Sequence, residues 1–418
     1  MNGIYANAQI TLIAAAASDA EYGLPGVGPK PRDLQSKHQV KDISLIQVFP
    51  HSSHAVKSSK WATRGWTYQE GFLSPRRLLF TDQQVTYLCN QMCCAESVKQ
   101  PMQLTGCLLN KPFLGIIPAA ASLVGKVHVQ KWLAASKHIE EYSMRQLSYD
   151  SDAFSAFHGI LHSLEEPREP ISHLWGLLLW KIPSYAVRVT LIWYHQSPSK
   201  RRPNFPSWSW IAWDGPVQVP RFNTDVLRGF IHIEISKTRH PVDIHDFLAL
   251  DPISYQQPEL GSGKYLSFHG LAVELFSFEN LSWSKQQISK GTLVYMQYRP
   301  KPFRLPRRCG LHAVLPLTAK LNQLSFVYLD EEIALEDSIT DGLLGLIISR
   351  KPGHSELGVM LLKSHGEFYQ RVGLLRIRDW WDNPGSCPAL HLELHQVDFS
   401  TKLAVKRPVR QIRYGLKE

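Results

Sequence analysis

The sequence predicts an α+β protein, with an α/β-type N-terminal part, a helical middle segment and a C-terminal antiparallel β-rich domain, a sandwich or distorted barrel. Three observations carry this. From Arg228 onward apolar residues recur with period two in short runs separated by turn residues. The stretch 61–73 sorts into an apolar and a polar side when placed on a helix, and a hairpin pattern follows it. Phe154, Phe157, Leu161 and Leu164 repeat at helical spacing.

At the start, Tyr5 and Ala8 suit the end of a helix, and Ile10, Thr11, Leu12 and Ile13 suit a short buried strand. Residues 19–32 read as a loop. Its Gly23-Leu-Pro-Gly26-Val-Gly28 run departs from dinucleotide-binding spacing and opens no clear helix, which favours a plain loop over a phosphate cradle. Residues 33–59 read as mixed loop and strand. Within 61–73, Trp61, Gly65, Tyr68 and Phe72 share one side, with Trp66 and Leu73 beside them. Thr63, Arg64 and Thr67 take the opposite side. Gln69 falls inside the apolar arc and Glu70 at its rim. A buried amide needs hydrogen-bond partners, and a carboxylate among indoles is expected to hold its proton more tightly. Gly71, Ser74 and Pro75 end the helix. Leu78-Leu-Phe80 and Val85-Thr-Tyr-Leu88 then form a hairpin around Thr81-Asp-Gln-Gln84.

Residues 92–127 read as irregular and 132–147 as helical. A stronger helix spans 151–164, with Asp150, Ser151 or Asp152 as its cap. His158 and His162 stand four apart on it. With no third ligand at suitable spacing, a surface or core-edge pair is favoured over a metal site. Residues 174–180 and 188–194 are further buried segments. Trp208, Trp210 and Trp213 alternate like a strand that ends at Asp214-Gly215. They form either a stacking platform for a carbohydrate or base or, the favoured reading, packing between domains. Strands follow at 231–235, 266–276, 293–298, 324–329, 343–348, 358–362, 372–377 and 390–397, and 408–415 reads as a last edge strand. Domain limits at 1–95, 96–215 and 216–418 follow from these changes of pattern.

The 418-residue chain carries 46 Lys and Arg against 36 Asp and Glu. The charges are scattered, so the excess of +10 reads as a solvated surface and not as a nucleic-acid footprint. The densest basic cluster, 301–308, is interleaved with prolines and reads as an exposed loop, as does Lys200-Arg-Arg-Pro203. Six cysteines are sparse for this length: Cys89, Cys93, Cys94, Cys107, Cys309 and Cys387. No secretory signal precedes them, which points to a reduced, cytoplasmic setting. Their spacing makes no paired zinc set, and neither a metal nor a resident cofactor is expected. No apolar run reaches the roughly 18 residues of a membrane span.

The block Trp61-Ala-Thr-Arg64-Gly65-Trp66-Thr67-Tyr-Gln69-Glu70-Gly-Phe-Leu73-Ser74-Pro-Arg76-Arg-Leu-Leu-Phe-Thr81 resembles the last signature block of the fungal heterokaryon incompatibility (HET) domain. Met1-Asn-Gly-Ile-Tyr-Ala-Asn-Ala-Gln-Ile-Thr-Leu-Ile-Ala-Ala15 resembles the end of its middle block, and Gly23-Leu-Pro-Gly26 its usual loop. Residues 147–161, 205–213 and Phe368-Tyr-Gln-Arg-Val-Gly373 resemble regions that follow HET domains in many such proteins. The family's earlier blocks, a Tyr-x-Trp-Gly ending and a Trp-Ile-Asp strand, have no counterpart. The resemblance therefore implies an N-terminally truncated, incomplete α/β HET-domain remnant, with unpaired backbone and an exposed apolar face where core strands are missing. It implies a role in fungal non-self recognition that ends in programmed cell death, through a protein partner. The family's distant likeness to the Toll/interleukin-receptor fold makes NAD a candidate substrate and Glu70 a candidate catalytic carboxylate. The favoured alternative is that Arg64, Gln69 and Glu70 satisfy buried backbone and each other.

Overall fold

The structure, a computed structural model, describes residues 2–50, 52–89, 92–97, 128–165, 170–181, 187–195, 199–220, 224–226, 228–234, 241–249, 265–274, 281–288, 291–298, 324–330, 344–350, 356–365, 368–378 and 396–399. The 301–308 cluster, Cys107, Cys309, Cys387 and the 408–415 segment lie outside them. The chain divides into two compact units, Met1–Glu169 and Pro170–Glu418. Helices and strands are mixed along it, in several separate sheets.

In the first unit, α1 (Asn2–Ala6) leads into β1 (Thr11–Ala14). A hairpin of β2 (Lys37–Val40) and β3 (Ile43–Ile46) stands apart, with every residue of both strands exposed. Three short helices follow: α2 (Ser52–Lys57), α3 (Lys60–Thr63) and α4 (Thr67–Leu73). Then come β4 (Arg76–Phe80), β5 (Val85–Cys89) and β6 (Cys93–Ala95). The sheet order is β1-β4-β5-β6, with β1 parallel to β4 and the other pairs antiparallel. β1 lies at the sheet edge. Its residues alternate, Ile13 fully buried and Leu12 54% exposed, so one face is in the core and the other in solvent. The predicted hairpin is β4–β5. Its turn is closed by the Thr81 hydroxyl, which donates to the Gln84 carbonyl and accepts from the Gln84 amide.

Helices α5 (His128–Ser143) and α6 (Ser155–Leu164) complete the unit's core. Tyr68, Phe157, Ile160, Leu161 and Ile139 are each wholly excluded from solvent. Burial of side chains of this size contributes about 1.5–3 kcal/mol each. The helix predicted at 151–164 begins later. Asp150–Asp152 form a 3-10 turn, α6 starts after Phe154, and no side chain caps it. Asp152 is drawn away from capping, because its carboxylate accepts the Trp66 indole N–H at 3.0 Å.

The helix predicted over 61–73 is two helices. Arg64 turns extended and makes an isolated parallel bridge to Gln146. The Gly65 amide donates to the Gln146 carbonyl at 2.7 Å, and the Gln146 amide to the Thr63 carbonyl at 2.6 Å. A Cβ on Gly65 would collide with the Leu147 side chain. A crossing strand of backbone therefore divides the helix at Gly65, where a side chain would require Leu147 to move aside.

The second unit holds β7 (Ile171–Leu174), β8 (Leu177–Lys181) and β9 (Val187–Val189). Next are β10 (Tyr194–His195), β11 (Lys200–Arg201), β12 (Trp213–Asp214), β13 (Val217–Gln218) and β14 (Thr224–Val226). One sheet has the order β14-β9-β8-β7, and the pairs β10–β13 and β11–β12 stand separately. The strand predicted from Trp208 to Trp213 is a turn and a 3-10 helix, Trp210–Ala212, because the Ser209 hydroxyl caps it by accepting the Ile211 amide. Trp208, Trp210 and Trp213 are buried, which leaves no exposed stacking platform. The Trp210 and Trp213 indoles bond within this unit. Trp210 donates to the Gly176 carbonyl at 2.8 Å and Trp213 to the Ser207 carbonyl at 3.0 Å.

Beyond these lie β15 (Ile231–Ile233), β16 (Val242–Asp243), α7 (Ile244–Phe247), β17 (Leu266–Glu274), β18 (Leu281–Ile288) and β19 (Gly291–Tyr298). The last are β20 (Leu324–Leu329), β21 (Leu344–Arg350), β22 (Glu356–His365), β23 (Phe368–Arg378) and β24 (Gln396–Phe399). They form one sheet, β16-β15-β17-β21-β22-β23-β20-β19-β18, with β24 also on β17. Its described pairings are antiparallel, as the period-two pattern predicts. Among the described residues no sheet closes into a barrel.

Candidate functional site

The signature block gathers around Tyr68. Its ring meets Tyr142 edge-on at 5.9 Å and His138 at 6.0 Å. Burial raises the Tyr68 phenol well above its ordinary value, so it keeps its proton, and it shares a hydrogen bond with His138 Nδ1 at 2.8 Å. Burial pushes the His138 imidazole down to about 3, so the ring is neutral at neutral pH. The Arg145 guanidinium lies 4.8 Å from the Tyr68 ring centre and 5.6 Å from that of Trp61. It donates to the Arg64 carbonyl at 3.1 Å and the Thr67 hydroxyl at 3.0 Å. Burial lowers it to about 10, which leaves it charged at neutral pH.

Gln69 is 1% exposed and donates Nε2 to the Ser155 carbonyl at 3.0 Å, which ties α4 to the first turn of α6. Glu70 accepts the Trp61 indole N–H at 3.1 Å. It also hydrogen-bonds Tyr5. Burial first, then the Glu70 charge, pushes that phenol up to about 12. Ser74 is buried. It donates to the Glu70 carbonyl at 2.6 Å and shares a hydrogen bond with the Thr11 hydroxyl at 2.7 Å, which fixes β1 against the end of α4. Gly65 is buried, Leu73 is half-buried, and Arg64 and Arg76 have exposed side chains. The block thus joins α1, β1, α3, α4 and α6. His138, Arg145 and Asp152, which complete it, come from 70 to 86 residues further along.

A separate cleft of about 890 Å³ opens where the parallel strands β1 and β4 end. Ala15–Ser18 and Thr81–Gln83 follow those strands, and Asp33, Gln146 and residues between Pro50 and Thr63, on and beside α2 and α3, supply the rest of the lining. The crevice beyond the carboxyl ends of parallel strands is where open α/β sheets place ligands. Glu70 is not among its lining residues. The glycine run at 23–28 lies elsewhere as turns of left-handed backbone at Gly23, Gly26 and Gly28. Arg32 crosses it, donating to the Pro25 carbonyl and pairing with Glu96.

Outside these two places, His162 pairs with Glu165 at 3.2 Å, and His158 lies against Phe154. Among the described residues no cluster of three or more His, Cys, Asp or Glu has a metal-binding arrangement. No helix among them is long and apolar enough to cross a membrane.

Residues 1–70 match the model of one protein family. That family is the heterokaryon incompatibility protein (HET) family, and the match takes in β1, the glycine loop, α2, α3 and α4 as far as Glu70. No curated protein and no solved structure matches the chain.

Proposed function

We propose that this chain acts as a signalling and interaction protein in fungal heterokaryon incompatibility, where non-self recognition on cell fusion ends in growth arrest or cell death. The HET match over residues 1–70 supports the class. The observation that carries the interaction reading over an enzymatic one is the placement of Glu70. Its carboxylate is engaged by the Trp61 indole and the Tyr5 phenol, away from the cleft at the strand ends. A catalytic carboxylate has to reach its substrate, whereas this one closes a joint between α1, α3 and α4. NAD cleavage is the competing reading. Purified chain incubated with NAD is expected to release no nicotinamide above the blank, and Glu70→Gln is expected to behave identically. Release by the wild type that Glu70→Gln abolishes would replace the interaction reading with an NAD-cleaving one.

A further inference from the structure

The cleft at the ends of β1 and β4 has a lining whose chemistry is selective. Its volume, about 890 Å³, is that of a small-molecule pocket. The hydroxyls around it are already committed as donors. Ser58 donates to the His54 carbonyl, Thr63 to the Lys60 carbonyl and Thr81 to the Gln84 carbonyl. Side-chain donors for a sugar-like ligand are therefore left to His54, Lys60 and the Gln83 and Gln146 amides. Three charged or titratable side chains of the lining, Asp33, His54 and Lys60, make no hydrogen bond or ion pair among the described residues.

These groups are sorted. The Asp33 amide donates to the Asp82 carbonyl at 2.8 Å, which holds the two acidic residues side by side next to the end of β4. His54 and Lys60 belong to the helical side, on α2 and at the start of α3. Asp82 has one carboxylate oxygen on the Tyr22 phenol. The lining has two carboxylates against one lysine, and no arginine. A di- or triphosphate brings two or more negative charges and needs arginine forks or several basic groups. Two carboxylates would repel it. A purely cationic ligand would meet Lys60. A ligand with one ammonium and one carboxylate matches both sides.

We propose that this cleft binds a small zwitterion of the amino-acid class, with its ammonium on Asp33 and Asp82 and its carboxylate on Lys60 and His54. A free amino acid and the two ends of a short peptide share this chemistry. The test titrates the full chain, by calorimetry or amide NMR shifts, with alanine, dialanine and trialanine, and with their N-acetyl and C-amide forms. At least one unblocked ligand is expected to saturate, and blocking either end is expected to weaken it about three- to tenfold. Saturation by alanine assigns a free amino acid; saturation by the peptides alone assigns peptide ends. Asp33→Asn, at an exposed position, is expected to weaken the unblocked ligand while leaving its N-acetyl form unchanged. Lys60→Met is expected to do the same with respect to the C-amide form. No saturation by any unblocked zwitterion, equal binding of the blocked forms, or NAD displacing the zwitterions from the cleft would overturn the proposal. Binding of a zwitterion without nicotinamide release leaves the signalling reading intact, so the two fail separately.

Discussion

Arg371→Met is expected to destabilise the second unit by about 3–5 kcal/mol. The Arg371 and Asp330 side chains are fully excluded from solvent and pair at 2.9 Å. The guanidinium also donates to the carbonyls of Leu191, at 3.0 Å, and Trp193, and lies 3.3 Å from the centre of the Trp193 ring. The Arg371 backbone is tied to Ser207 at 3.1 Å, and Asp330 carries backbone bonds to Ser199 and Val372. One side chain thus holds β23, the end of β20 and the segment 191–193 together. Methionine fills much of the volume but leaves Asp330 as a buried carboxylate with no counter-charge. Thermal unfolding monitored by tryptophan fluorescence reads this well, because Trp193 is part of the site. For a unit of this size each kcal/mol corresponds to about 2–4 °C. The double change Arg371→Met with Asp330→Leu is expected to recover part of the loss, since an apolar pair carries no stranded charge. A double variant less stable than Arg371→Met would show that the charge is not what costs.

Arg145→Met is expected to cost the first unit about 2–3 kcal/mol. It takes one of two donors from the Arg64 carbonyl, which keeps the Thr67 hydroxyl, removes a bond to that hydroxyl, and strips the cation from the faces of Tyr68 and Trp61. Arg145→Lys is expected to rescue little, because a point ammonium cannot serve two acceptors and two ring faces as a planar fork does. Amide hydrogen exchange across α4 and residues 145–147 measures this locally. Unchanged protection in Arg145→Met would contradict the account.

What the sequence made legible follows the range of the forces involved. The end of α4 and the β4–β5 hairpin rest on Gly71, Ser74, Pro75 and a four-residue turn, all local, and they stand where the pattern places them. The mixed α and β class and most C-terminal strands were equally local, each set by its own period, but β18 was not predicted. The break at Gly65 was not legible, since its cause is the backbone of Gln146, 81 residues away. The turn at Trp208–Trp213 had a local signal that alternation overrode: Ser209, a capping residue set between two tryptophans. Asp330 gave no pattern, and Arg371 stood in the Phe368–Gly373 block without a visible purpose, because their partners lie 41 to 180 residues off. The cleft depends on the parallel pairing of β1 with β4, which no turn residue announces. The motif residues were found as a list, but their purpose emerged only from what they touch. Gln69 reaches Ser155, Trp66 reaches Asp152 and Ser74 reaches Thr11.

Under the proposed function, the signature block serves incompatibility signalling by holding a fold together and not by catalysis at Glu70. The most direct measurement is growth of a filamentous fungus after induced expression of the chain, with protein levels followed in parallel. Wild type and Glu70→Gln are expected to arrest growth equally at equal level, and Arg145→Met is expected to lose the arrest in proportion to its loss of folded protein. Arrest abolished by Glu70→Gln at undiminished level and undisturbed hydrogen exchange would contradict the claim and place the chemistry at that carboxylate.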